Sequence, residues 1–202
     1  MINTNNLTDV VKNLIIINVI VFFAATSMGF ARNLYLFFPM SEAFQPYQIV
    51  THMFMHSGIG HLFFNMLSLF FLGPYVERYL GPKKFLILYL VSGFGAVAAH
   101  LGVDYYQYME GTLQLVPVVG ASGAVYGVLL AFAYLFPDVK LMLMLPPIPV
   151  KAKYLALGLI AYDLYSGVMR SSTGIAHFAH LGGAVTGIIL VIYWKQNKYR
   201  IN

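Results

Sequence analysis

The 202-residue chain has no cysteine, a single tryptophan, and only 9% Asp, Glu, Lys and Arg together. An average soluble domain carries roughly 25% of those four residues. The missing cysteine excludes a disulfide framework, thiol catalysis and Cys-ligated zinc or iron–sulfur sites. The shortage of charge excludes a water-soluble globule, because so few ionised side chains cannot clothe its surface. What fills the chain instead is apolar: 59% of it is hydrophobic, and its mean hydropathy is +0.73. Residues 1–202 therefore read as one integral membrane domain. No small-residue cleavage site follows the first apolar run, so that run is expected to be a retained helix and not a signal peptide.

A spanning helix needs roughly 20 mostly apolar residues, and the scattered charges cut the sequence into pieces of about that size. The spacing predicts six crossing helices, over about 13–31, 60–79, 85–103, 121–136, 153–169 and 177–195. Residues 32–56 form a first loop rich in aromatics (Tyr35, Phe37, Phe38, Phe44, Tyr47, Phe54), suited to the headgroup region. Six crossings put both termini on one side. Ten of the twelve basic residues flank that side: Lys12, Arg78, Lys83, Lys84, Lys140, Lys151, Lys153, Lys195, Lys198 and Arg200. Only Arg32 and Arg170 lie opposite. Cytoplasmic termini follow from the positive-inside bias. The net charge of +5 is this bias, spread over four flanking segments with no basic stripe, so nucleic acid is not an expected partner.

Unpaired polar groups are costly in hydrocarbon, so polar side chains in spans tend to face inward and mark function. Three clusters stand out: His56-x4-His61-x3-Asn65, Gly120-Ala121-Ser122-Gly123-x3-Gly127, and His177-x2-His180-x2-Gly183-x3-Gly187. The second, fourth and sixth predicted helices all run from outside to inside, which puts the three clusters at one depth below the outer face. Small residues at Gly123, Gly127, Gly183 and Gly187 let helices approach closely, and Ser122 is expected within hydrogen-bond reach of His180. A serine hydroxyl needs such a base to become a nucleophile. The tetrahedral intermediate needs fixed donors, which His61, Asn65 and the Ser122 backbone N–H are placed to supply.

Together with Gly73-x3-Glu77-Arg78, these motifs resemble the signatures of rhomboid intramembrane serine proteases, in the right order from about Pro46 to Gly187. The resemblance implies an all-α, six-transmembrane-helix bundle with a membrane-embedded first loop, and a Ser122–His180 dyad without a third acid. It implies oxyanion contacts from His61, Asn65 and the Ser122 amide, and a Tyr126 that packs on the base. It also implies a substrate gate built from the fifth helix and the Arg170–Ala176 loop. Supporting or substrate-contacting roles fall to His56, Gly120, Gly123 and His177. The expected substrates are single-span membrane proteins in a lipid bilayer, in a bacterial cell membrane, cleaved at a site open to the outer face. No cofactor and no metal are implied. One departure is Tyr47-Gln48, where many members carry Trp-Arg, and the anchoring of the first loop is expected to differ.

Two other readings compete. A metal enzyme could use His56, His61, His177 and His180, but no His-Glu-x2-His is present. A catalytically inactive rhomboid-like binder or chaperone of membrane helices would usually lack the serine or the histidine, and this chain keeps both. Asp163, ten residues into the fifth predicted helix, is expected well below the Ser122–His180 level, in a buried hydrogen-bonding role. His52 and His100 read as loop or interface residues without a role at the site.

Overall fold

A computed structural model describes residues 7–143, 147–169 and 176–197. Those residues hold seven α-helices: α1 (Asp9–Ser27), α2 (Gln48–Thr51), α3 (Ile59–Leu80), α4 (Pro82–Met109), α5 (Ser122–Leu135), α6 (Ala152–Val168) and α7 (His177–Gln196). A short antiparallel hairpin of β1 (Lys140–Met142) and β2 (Pro149–Lys151) joins α5 to α6. It was not expected from the Pro-rich sequence there.

Six of the helices correspond to the six predicted ones, and the seventh is the four-residue α2 inside the first loop. Only α1, α3, α4 and α7 are long and apolar enough to cross a bilayer. The 14 residues of α5 extend about 21 Å, and the 17 of α6 about 25 Å, at 1.5 Å per residue. Both fall short of a hydrocarbon core of about 30 Å. For α5 the reason is its position. Nine of its residues, among them Gly123, Val125, Gly127 and Phe132, are buried among α3, α4, α6 and α7. Its length answers to neighbouring helices and not to lipid.

Both limits of two helices departed from the charge-based estimate, α1 (expected about 13–31) and α4 (expected about 85–103). α1 begins at Asp9 and not near residue 13, because the Glu77 carboxylate at the far end of α3 reaches its first turn. Glu77 accepts from the Thr8 hydroxyl (2.5 Å), the Val10 N–H (3.2 Å) and the Val11 N–H (2.9 Å). A helix N-terminus leaves its first N–H groups without intrahelical partners, and a carboxylate there also meets the positive end of the helix dipole. α4 runs past Asp104 to Met109, and Asp104 pairs with His100 one turn earlier at 3.3 Å.

The buried core joins α1, α3, α4 and α5, with Val11, Leu69, Leu88, Val128 and Phe132 at its centre. Outward faces stay apolar: Ile16, Ile20 and Phe23 on α1, Phe63, Phe64, Phe70 and Phe71 on α3, and Val185 and Ile189 on α7 are exposed. Apolar surface on that scale fits a protein solvated by lipid.

The departure at Tyr47-Gln48 has a structural answer. Gln48 is fully buried; its side-chain oxygen accepts from the Phe37 and Gln45 N–H groups, and its amide donates to the Asn33 and Ala43 carbonyls. One neutral amide thus ties both arms of the first loop to α2. Tyr47, by contrast, is half exposed.

Glu77→Ala removes three bonds from a buried carboxylate, each worth about 1.5–3 kcal/mol at most when charge-assisted. It is expected to lower the midpoint of thermal unfolding in detergent, while Lys12→Ala, which breaks only the exposed Asp9–Lys12 pair, leaves it unchanged. Differential scanning fluorimetry of the two variants checks this.

Candidate active site

Ser122 is the first residue of α5 and His180 lies one turn into α7. Their side chains meet where the two helix backbones touch. A Cβ built on Gly187 would lie 2.6 Å from Gly127 Cα, and one built on Gly183 would collide with the backbone of Gly123. Any side chain at these positions would push the helices apart. With glycine there, His180 Nε2 sits 2.9 Å from Ser122 Oγ.

The His180 ring is held on two further sides. Tyr126, one turn after the serine, stacks on it with centroids 4.2 Å apart and planes 14° apart. On the opposite ring nitrogen, Nδ1 lies 3.2 Å from Asp163 Oδ1. The same oxygen is 2.6 Å from His177 Nδ1. Asp163 is therefore beside the Ser122–His180 pair and not well below it. The depth expected from the sequence was counted from the wrong end: Asp163 is five residues, about 7.5 Å, from the C-terminal end of α6, the end beside the starts of α5 and α7. His177, expected in a supporting or substrate-contacting role, is buried against this carboxylate.

The facing wall comes from α3. His61 Nδ1 accepts from the Ser57 N–H at 3.4 Å and lies 3.1 Å from the Ser57 hydroxyl. An accepting Nδ1 leaves the ring hydrogen on Nε2. Asn65 donates to the His61 carbonyl at 2.8 Å with one of its two amide hydrogens. Ser122, as the first helical residue, has a backbone N–H with no intrahelical acceptor. Three donor groups thus share one cavity with the hydroxyl.

His61, Asn65, Gly120, Ser122, Gly123, Tyr126 and His180 all line one cavity of about 970 Å³. His56 and His177 do not. His56 is buried behind the wall, edge-on to His61 at 5.1 Å and to Phe22 at 6.3 Å, where it backs the His61 ring. Among the described residues no three of His, Asp and Glu group as a metal site. Of the Arg170–Ala176 gate loop, all but Ala176 lies outside the described residues.

The segment leading into Ser122 is fixed from below. Leu36 and Val118 exchange both backbone bonds (3.0 and 2.8 Å), and the Gly120 N–H donates to the His52 carbonyl at 3.0 Å. His52, given no role by the sequence, therefore positions the serine strand. Burial lowers its imidazole to about 4, so the ring is neutral and its Nδ1–H donates to the Gln48 carbonyl at 2.9 Å. The only signal that could have found it is its spacing, one turn before His56. Gly120 has φ +129°, a conformation open to glycine alone.

Comparison with known proteins gives the family. The Rhomboid domain family model matches residues 43–197. The chain is similar to rhomboid protein 1, mitochondrial, of Saccharomyces cerevisiae (34% identical over 141 residues, 70% of this chain and 40% of the relative). It is also similar to rhomboid protease AarA of Providencia stuartii (34% over 150 residues, 69% and 53%), and to the putative rhomboid protease YdcA of Bacillus subtilis (30% over 154 residues, 76% and 70%). The chain belongs to the rhomboid family of integral membrane proteins. It spans between two-fifths and three-fifths of the length of the first curated relatives it matches.

Gly120→Ala would put a Cβ 2.7 Å from His61 Cε1 on a backbone that alanine strains against. The expected cost is about 1–3 kcal/mol, read as a lower unfolding midpoint in detergent. Gly58→Ala, with open space around its Cβ and an ordinary extended backbone, should be near neutral in the same assay.

Proposed function

We propose that this chain is an intramembrane serine endopeptidase that cleaves membrane proteins in or near their transmembrane segments. The observation that carries the reading is the 2.9 Å contact between Ser122 Oγ and His180 Nε2 inside a cavity. In this reading His180 Nε2 takes the Ser122 proton as Oγ attacks the scissile carbonyl carbon. The carbonyl π electrons pass to its oxygen, where the His61 Nε2–H, the Asn65 amide and the Ser122 N–H stabilise the oxyanion. Collapse breaks the C–N bond, and His180 returns the proton to the leaving amine. Water then hydrolyses the acyl-enzyme by the same steps, with His180 again as base. Tyr126 keeps the imidazole plane fixed, and Gly120 and Gly123 leave room for a substrate backbone.

The wider setting belongs to the same proposal. The six longer helices act as one rhomboid bundle across a bacterial cell membrane, termini on the cytoplasmic side and the cavity open outward. Single-span substrates reach Ser122 laterally between α3 and α6, two helices with no extensive mutual packing. A peptide bond inside an apolar helix is shielded by its own hydrogen bonds, so residues that weaken the outer end of the substrate helix should speed cleavage.

Ser122→Ala and His180→Ala are each expected to lower cleavage of a single-span substrate in proteoliposomes by at least about 10³-fold, with the unfolding midpoint retained. A fluorophosphonate should label Ser122 in the parent protein, located by mass spectrometry, and strong chelators should leave turnover unchanged. Cleavage that persists in the Ser122→Ala variant overturns the assignment.

A further inference from the structure

We propose that Asp163 is a positioning residue that holds His180 with its hydrogen on Nδ1 and counters the imidazolium that forms during acylation, with His177 clamping the carboxylate in place. This deepens the Ser122–His180 reading and rests on it. The chain of contacts is continuous: Ser122 Oγ to His180 Nε2 at 2.9 Å, His180 Nδ1 to Asp163 Oδ1 at 3.2 Å, and the same Oδ1 to His177 Nδ1 at 2.6 Å.

A carboxylate oxygen only accepts hydrogen bonds. Both imidazoles must then present Nδ1–H to Asp163. That leaves His180 Nε2 with its lone pair directed at the serine, the tautomer a general base needs. The alternative tautomer would donate its Nε2–H to the Ser122 oxygen, leaving no lone pair to take the serine proton, and would set a lone pair against Asp163, losing that contact. When His180 takes the serine proton, the carboxylate already lies against the ring that becomes positive, so no group has to move to meet the charge.

The burial of Asp163 argues for a function and not for fold strength. The residue is 1% exposed on a helix whose other charged side chain, Lys153, lies at its start, a costly place for a charge. Its partners are all at the site: two histidines are directed at one oxygen, and the Tyr126 hydroxyl also donates to the carboxylate. His177 makes the shorter contact, is buried with Tyr162 edge-on to its ring (5.8 Å), and keeps the carboxylate from turning away from His180. Throughout acylation the proton shuttles only between Ser122 Oγ, His180 Nε2 and the leaving nitrogen, and Asp163 remains ionised.

The test uses the full chain in detergent, with Asp163→Leu, which keeps the volume and removes acceptor and charge, and Asp163→Asn, which keeps an acceptor oxygen and removes the charge. Expected are a fall in kcat of about 10²-fold or more in Asp163→Leu and a smaller fall in Asp163→Asn, with KM within threefold in both. Nitrogen-15 NMR of histidine-labelled protein, with the His180 signals assigned by difference, should show Nδ1–H in the parent and a mixture of tautomers in Asp163→Leu. A purely structural Asp163 would change the unfolding midpoint without changing the tautomer.

A parent His180 protonated on Nε2, an unaltered tautomer in Asp163→Leu, or kcat retained in a folded Asp163→Leu overturns the proposal. If Asp163→Leu does not fold, the parent spectrum and the Asp163→Asn kinetics decide. Failure of the protease reading is separately visible, because fluorophosphonate would then leave the parent Ser122 unlabelled while the tautomer measurement still reports on Asp163.

Discussion

The contact between the α5 and α7 backbones is the constraint on which the site depends. The 2.9 Å hydrogen bond between Ser122 and His180 is made where two helices come closer than ordinary side chains allow. Gly123 and Gly127 face Gly183 and Gly187 across that contact. In lipid no hydrophobic effect drives helices together, so this packing is a main source of their association. The residues that make the approach possible also set the distance between Ser122 Oγ and His180 Nε2.

Polar satisfaction explains the rest of the architecture. Several polar groups in and around the site are held by hydrogen bonds, some from distant parts of the chain and some from within a turn. Glu77 holds the start of α1, Gln48 gathers the first loop, the His52 carbonyl and the Leu36–Val118 pair fix the segment before Ser122, and Ser57 orients His61. In an apolar surrounding an unmade hydrogen bond has no water to replace it. A small number of such ties can therefore fix a site more firmly than the same ties would at a wet surface. The cavity is the exception, an inward-facing space with His61, Asn65 and His180 on its walls. It is where a substrate carbonyl and a water would find partners.

The sequence carried the site further than it carried the fold's dimensions. Ser122, His180, His61 and Asn65 were legible because each motif combines a reactive side chain with glycines or a helical repeat, and the alternation of helix direction brings them to one depth. The helix limits were less legible, since charges were used as boundaries. Lys12 and Asp104 proved to lie inside helices, each paired with a side chain three or four residues away. The shortness of α5 could not be read at all, because a helix buried among helices carries the same apolar signature as one facing lipid. His56 fell on the correct wall but behind it, a distinction that needs packing and not spacing.

Asp163 shows most clearly how direction governs such a reading. Ten residues into a helix is a statement about distance from one end, and in a bundle whose helices alternate, the end that matters is the one on the side of the site. The C-terminal end of α6 lies beside the starts of α5 and α7, so the same residue is deep by one count and near the Ser122–His180 pair by the other. The polar pattern contained the correction, since Asp163 and the His177-x2-His180 pair are the strongest polar features of the last two helices, and α6 packs directly on α7. Polar residues on adjacent antiparallel segments of a membrane bundle are better partnered first and placed in depth second, because the penalty for leaving them apart exceeds that of most packing alternatives.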